Sequence, residues 1–313
     1  MDKLLITGGS SIHTYNFFKL IKDDFQDIIV VSDDINPDFI DMPVKVTNFS
    51  LRKPWMIRKN ISTIRRHIKS FNPSIIHVQQ AGTEAWLTLK ASEGLGIPVV
   101  ISAWGSDILI SPKRGPLYRN MLEYILRKGD AFTCDSAYVA ALMQEISGKR
   151  NLDVKVINFG INIDFKEVSK EKIIYSNRLH KELYNLDKVL PAFKVFLEKN
   201  HDWRLIMAGE GEQTHYLQSL AKKLGIDDKV EFPGWVDKSE NSDYYSRAGI
   251  FVSIPSSDAT AISLLEAMAA GCIPVLSNLP ANHEWVIDGY NGIIITGFTG
   301  NFFQKAKELD QMD

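Results

Sequence analysis

A chain of 313 residues has room for one large domain or two of medium size. With 45% apolar and 24% charged residues, it is neither a disordered polypeptide nor a collagen-like or coiled-coil rod. A net charge of −2 gives no overall pull toward nucleic acid, and no apolar run reaches the roughly 18 residues of a membrane-spanning helix.

The apolar part of the opening MDKLLITGG is too short for a signal-peptide core. Cys134 and Cys272 both fall in apolar runs, as the buried thiols of a reducing cytoplasm do. A first strand over 3–7 empties into Gly8 and Gly9, followed by Ser10, Ser11 and a helical pattern. Such a turn lets backbone amides approach a ligand, although any tight strand-to-helix turn also calls for glycine. The spacing is not G-x-G-x-x-G, so the dinucleotide fingerprint is absent. Strands follow over 27–32 and 44–48. Residues 43–72 then hold eight Lys/Arg, at 45, 52, 53, 58, 59, 65, 66 and 69, and no acid, with Trp55, Met56 and Ile57 interleaved. Two readings fit this stretch: a solvated helix face, or a peripheral contact with anionic lipid headgroups. A strand over 75–79, a helix within 83–96 and a strand over 98–103 come next. The last opens onto Trp104, Gly105, Ser106 and Asp107. Asp107 either caps the next helix or contacts a polar substrate. Strands over 131–134 and 155–158, with a helix within 139–149, complete the first half.

The polar, poorly periodic stretch over 157–171 reads as a linker, with a boundary near 162–170 and domains at 1–165 and 166–313. The pattern restarts with a strand over 172–176, followed by Arg178, His180, Lys181 and Tyr184. An arginine at a strand end is either a bidentate partner for a diphosphate or an ordinary surface residue. A helix within 187–200 leads to a strand over 204–208, then Gly209, Glu210 and a helix within 214–225. Strands over 229–232 and 249–254 lead into SSDATAISLLEAMAAG. Here Thr260 is the expected N-cap of a helix over 261–270, with Gly271 as its stop. The open N-terminus of that helix suits phosphate. From 259 to 278 Glu266 is the only ionisable side chain apart from Cys272. A carboxylate on an otherwise apolar helix needs partners, and it leans toward the helix N-terminus. It repels phosphate, so sugar hydroxyls are the donors that suit it. Strands over 273–277 and 292–296 finish the second half. Runs such as IIVV, PVVI, IIYS and IPVL mark parallel strands covered on both faces. The β–α alternation predicts two doubly wound, Rossmann-like α/β domains facing across a cleft, with ligands beyond the strand carboxyl ends.

These residues resemble the GT-B glycosyltransferases of family 4, the glycosyl transferases group 1. The family shows an acid, seven residues, then Glu within a Glu-Ala-Met-Ala-x-Gly-x-Pro-Val run. That pattern stands here as Asp258 and, from Glu266, EAMAAGCIPV. WGSDI (104–108), NFGINIDF (158–165), AGEGE (208–212), KVEFPGWV (229–236) and DGYNGIII (288–295) are further matches. The resemblance implies sugar transfer from a UDP- or GDP-linked donor, with retention at the anomeric carbon and no metal or other cofactor. It implies that Glu266 holds the ribose, that Asp258 lies by the donor sugar, and that the amides of Thr260, Ala261 and Ile262 face the diphosphate. Arg178 matches the phosphate-binding arginine, and Gly8, Gly9 and Ser10 face the same phosphates. Gly209 and Glu210 fall on the donor side, Trp104 and Ser106 on the acceptor side. Arg178, Asp258 and Asp107 are the expected catalytic set, the two acids orienting the sugar. The acceptor expected from the resemblance is a glycan or a lipid-linked molecule of the cell surface. The enzyme would then work in the cytoplasm, at or near the inner face of the membrane, without nucleic acid.

Three departures accompany the resemblance. The family places a Lys six residues after the arginine, where this chain has Tyr184. A phenol can donate one hydrogen bond to phosphate but brings no charge, and Lys181 is the second candidate for that contact. The family also has His where Trp104 stands. Finally, it continues past the helix expected at 302–311, so the C-terminus reads as shortened. These departures motivate the competing reading of a weak or inactive nucleotide-sugar-binding partner subunit.

Overall fold

The computed structural model describes residues 2–149, 151–158, 160, 161, 165, 168–298 and 301–310. The chain divides into two compact units, Met1–Asn158 and Phe159–Asp313. Residues 159, 162–164, 166 and 167, within the linker expected at 157–171 and in part within the motif at 158–165, lie outside the described residues.

In the first unit the order is β1 (Lys3–Thr7), α1 (Ile12–Ile21), β2 (Asp27–Ser32), β3 (Val44–Val46), α2 (Pro54–Phe71), β4 (Ile75–Gln79) and α3 (Thr83–Ser92). It continues with β5 (Val99–Ser102), α4 (Ser106–Leu109), α5 (Pro116–Lys128), β6 (Ala131–Cys134), α6 (Ala137–Ser147) and β7 (Val154–Val156). The strands pair in the order β3-β2-β1-β4-β5-β6-β7, parallel throughout. Leu5, Ile6, Val30, Val31, Ile76 and Ile101 are fully buried within it. That is why these strands read as unbroken apolar runs, each such side chain contributing roughly 1.5–3 kcal/mol on burial.

The second unit repeats the scheme. Its elements are β8 (Glu171–Ser176), α7 (Leu186–Leu197), β9 (Arg204–Ala208), α8 (Thr214–Leu224), β10 (Val230–Gly234) and α9 (Lys238–Arg247). Then come β11 (Ala248–Ser253), α10 (Ile262–Ala269), β12 (Ile273–Ser277), β13 (Ile293–Ile295) and α11 (Phe302–Asp310). The sheet order is β10-β9-β8-β11-β12-β13, again all parallel. Each sheet reverses its direction of winding once, between β1 and β4 in the first unit and between β8 and β11 in the second. Crevices at such switch points, outside the strand carboxyl ends, are where doubly wound sheets hold ligands.

Each strand expected from the sequence forms, with ends within two residues of those expected. Three helix starts differ by one or two residues, those of α6, α7 and α10, and the last bears on the site. The N-cap of α10 is Ala261, in extended conformation and without a side-chain cap, rather than Thr260. Thr260 lies one residue earlier, and its hydroxyl accepts from Trp285 Nε1 at 3.2 Å.

Candidate active site

The switch point of the second unit is bridged by charge. Arg178 follows β8 and Asp258 follows β11, and Arg178 Nη2 donates to Asp258 Oδ2 at 2.6 Å. Arg178 Nη1 donates to Ser263 Oγ, in the first turn of α10, at 2.8 Å. The guanidinium lies over the Tyr184 ring, its carbon 4.4 Å from the centroid. Nε is buried and has no hydrogen-bond partner among the described residues. Burial pushes the Asp258 carboxyl up, and Arg178 opposes that shift without cancelling it. Beside this group, α10 begins with amides that no side chain caps. Ser263 was not anticipated from the sequence, although it lies three residues before Glu266 and hence on the same helix face.

Glu266 itself is half-buried and raised by that burial, against hydrogen bonds from Tyr245 and Asn241 that favour its charged form. A polar network stands behind it. Tyr175 Oη donates to Asn241 Oδ1 at 2.6 Å, and Asn177 Nδ2 reaches both Asn241 Oδ1 (3.1 Å) and Tyr245 Oη (2.8 Å). The Tyr245 hydroxyl also donates to the Ser263 carbonyl at 3.1 Å. Three elements, β8, α9 and α10, thus fix the orientation of one acid.

Of the other expected donor-side residues, Gly209 has φ +104, and a Cβ there would lie 3.0 Å from the Arg178 carbonyl oxygen. Glycine lets that loop pack against the backbone of the arginine. Glu210 is exposed, its carboxylate over Gly234. Lys181 is exposed.

The switch point of the first unit is organised differently. Gly8 is required there, since a Cβ would meet Gln79 Cβ at 2.8 Å. Gly9 is half-buried, but the amide of Ser10 already donates to Asp33 Oδ1 at 2.8 Å. Ser11 caps α1 by accepting from the Thr14 amide at 3.2 Å. An acid beside the loop and a capped helix leave it less suited to phosphate than the start of α10. Asp107 is 2% exposed and accepts from the amides of Ala81 (2.7 Å), Trp104 (3.0 Å) and Ile108 (3.1 Å). It does not cap the next helix. It is the second residue of α4, whose N-cap is Gly105, and its oxygens are occupied by backbone. Asp107 therefore braces the loops after β4 and β5. Trp104 is half-buried, its indole N–H has no hydrogen-bond partner among the described residues, and the ring of His13 meets it edge-on at 4.6 Å. Sequence reading passed over His13. Ser106 is exposed at the start of α4.

Two parallel doubly wound sheets, with the charged constellation at the second switch point, define the GT-B class. The family described as Glycosyl transferases group 1 matches residues 161–302, and that described as Glycosyl transferase 4-like matches residues 4–136. The chain belongs to this glycosyltransferase family, family 4 of the GT-B fold. It is 27% identical over 255 residues to an alpha-monoglucosyldiacylglycerol synthase of Streptococcus pneumoniae, covering 73% of this chain and 57% of that protein. It is 25% identical to the putative glycosyltransferase EpsD of Bacillus subtilis, covering 79% of this chain and 70% of that one. Its fold is similar to Anabaena HepE in complex with UDP-glucose, with TM-score 0.76, 16% identity, and coverage of 99% of this chain and 89% of that one. It is similar also to a sucrose-phosphate synthase from Thermosynechococcus elongatus, with TM-score 0.79, 12% identity, and coverage of 100% and 90%.

Proposed function

We propose that the chain transfers a sugar from a nucleotide-sugar to a glycan or lipid-linked acceptor, with retention at the anomeric carbon and without a metal. The observation that carries this reading is the Arg178–Asp258 pair, which bridges the β8/β11 switch point beside the uncapped start of α10. Arg178 and the amides at 260–262 neutralise the charge that grows on the leaving diphosphate. The ribose hydroxyls donate to Glu266, which the Tyr245–Asn241 network orients. Asp258 orients the donor sugar. The acceptor hydroxyl attacks from the face that the diphosphate leaves, and that phosphate takes its proton. The second unit holds the donor and the first unit the acceptor, by Trp104, His13 and Ser106. Crystals of HepE hold UDP-glucose, which favours a UDP-linked donor here.

The acceptor reading draws on charge. Seven of the eight cations at 43–72 are exposed, and Trp55 is 71% exposed at the start of α2. The eighth, Arg65, instead donates to the carbonyls of Ala91 and Glu93 behind α3. That surface suits peripheral contact with anionic lipid, in line with the glycolipid named for the streptococcal relative. No described helix is long and apolar enough to cross a membrane.

A thermal-shift panel of UDP- and GDP-sugars tests the donor, since a binder at 100 times its Kd adds about 2.7 kcal/mol. Turnover of the binder with EDTA present supports the reading. Tight binding without any transfer or hydrolysis would favour the partner-subunit alternative, and the absence of any nucleotide-sugar binder would sink both.

A further inference from the structure

We propose that Tyr184 is a positioning residue whose ring, not its hydroxyl, does the work: it holds Arg178 face-on, so that one oriented cation serves the diphosphate. The inference rests on the donor-site reading above and deepens it. A guanidinium has five N–H donors in a plane. Two are directed to Asp258 and Ser263, and the guanidinium carbon lies over the Tyr184 ring, 4.4 Å from its centroid. The buried Nε has no hydrogen-bond partner among the described residues. The edge contacts fix the guanidinium in its plane, and the ring stops it tilting out of that plane.

The ring is itself held. Tyr184 is half-buried against the core that includes Leu186, Leu190 and Ile254. It ends a short turn, and the next residue, Asn185, stands at φ 52 with its side-chain Nδ2 donating to the Ile254 carbonyl at 2.9 Å. The Ser256 amide donates to the Leu183 carbonyl at 2.9 Å. The turn carrying Tyr184 is therefore stitched to the loop that carries Asp258. A lysine at 184 would add a point charge on a flexible stem but offer no face on which the guanidinium could rest.

The test compares Tyr184→Phe, Tyr184→Leu and Tyr184→Lys with the unaltered chain, in two measurements. The first is the ¹⁵N–¹H spectrum of the arginine side chains without ligand, with Arg178 assigned through Arg178→Lys. The unaltered chain and Tyr184→Phe should show the guanidinium protons of Arg178 shifted upfield by the ring, and Tyr184→Leu should return them to the ordinary position. The second is the affinity for inorganic diphosphate. Tyr184→Phe should rescue it, whereas Tyr184→Leu should weaken it roughly tenfold. Tyr184→Lys should fall below the unaltered chain despite its added charge. An Arg178 resonance that ignores Tyr184→Leu overturns the proposal. So does a Tyr184→Lys variant that binds diphosphate more tightly than the unaltered chain, or a Tyr184→Phe variant as weak as Tyr184→Leu. If the unaltered chain binds no diphosphate, the donor-site reading fails, and the spectrum alone still decides whether the ring holds the arginine.

Discussion

The two sheets wind alike, yet they use their switch points in opposite ways. At β8/β11 an arginine and an acid face each other across the crevice, and the adjoining helix leaves its first amides uncapped. At β1/β4 the neighbouring acids are turned on the protein's own backbone. Asp33 holds the Ser10 amide, and Asp107 holds those of Ala81 and Trp104. The same topology thus gives one edge where a guanidinium, its paired acid and uncapped helix amides meet, fit for an anion, and one edge stiffened internally, fit for presenting Trp104 and His13. What separates them is where each acid finds its hydrogen-bond donors.

The largest expected effect comes from removing the charge at the second edge. Arg178→Ala should lower kcat/KM by roughly 10³-fold, the scale of losing a preorganised donor to a transition-state anion. Steady-state kinetics with the donor found by thermal shift checks it, and a loss of under tenfold would remove Arg178 from the chemistry. At the first edge the expected loss is in stability. Asp107→Ala leaves three amides unpartnered, so urea unfolding should register a loss of roughly 3 kcal/mol. A variant with native stability and no turnover would make Asp107 catalytic after all, and erase the contrast.

A third effect, of similar size, depends on pH and belongs to the first sheet alone. Burial pushes the imidazole of His77, on β4, down to about 4. Its folded value lies below the unfolded one, so the unfolded chain binds the extra proton. The stability held above pH 6.5 should therefore fall as pH drops toward 4, by about 3 kcal/mol. Unfolding curves of the unaltered chain and of His77→Gln should diverge across that window; parallel curves would refute the linkage. Smaller again is Glu266→Ala. It should raise the donor KM roughly 10- to 100-fold, with little change in kcat, because the lost hydrogen bonds are those of uniform binding. Donor affinity that survives the change would withdraw the ribose assignment.

Much of this fold was legible because a parallel strand buried on both faces writes itself as an unbroken apolar run. IIVV, IIYS and IPVL could be little else once helices alternated with them. Glu266 was legible for the same reason, as a lone acid among apolar neighbours. Other features depend on partners distant in sequence. Thr260 has the chemistry of an N-cap, but its hydroxyl serves Trp285, 25 residues further on, and the helix starts after Ala261. Asp107 satisfied a local capping rule until Ala81, from another strand end, took one of its oxygens. Tyr184 looked like a lysine's substitute because its spacing from Arg178 was visible and the orientation of its ring was not. Asn177, next to that arginine in SNR, and Asn241 were missed because their roles appear only when β8, α9 and α10 meet.

The uncapped start of α10 also makes the protein its own reporter. Amides that no side chain caps exchange with solvent deuterium readily, so positions 261–263 should label early although Ala261 is buried. Any anion seated on that turn would slow the exchange at those few positions and leave the capped start of α1 unchanged. Mass spectrometry of a single peptide would then read out occupancy without a chromophore, an acceptor or turnover.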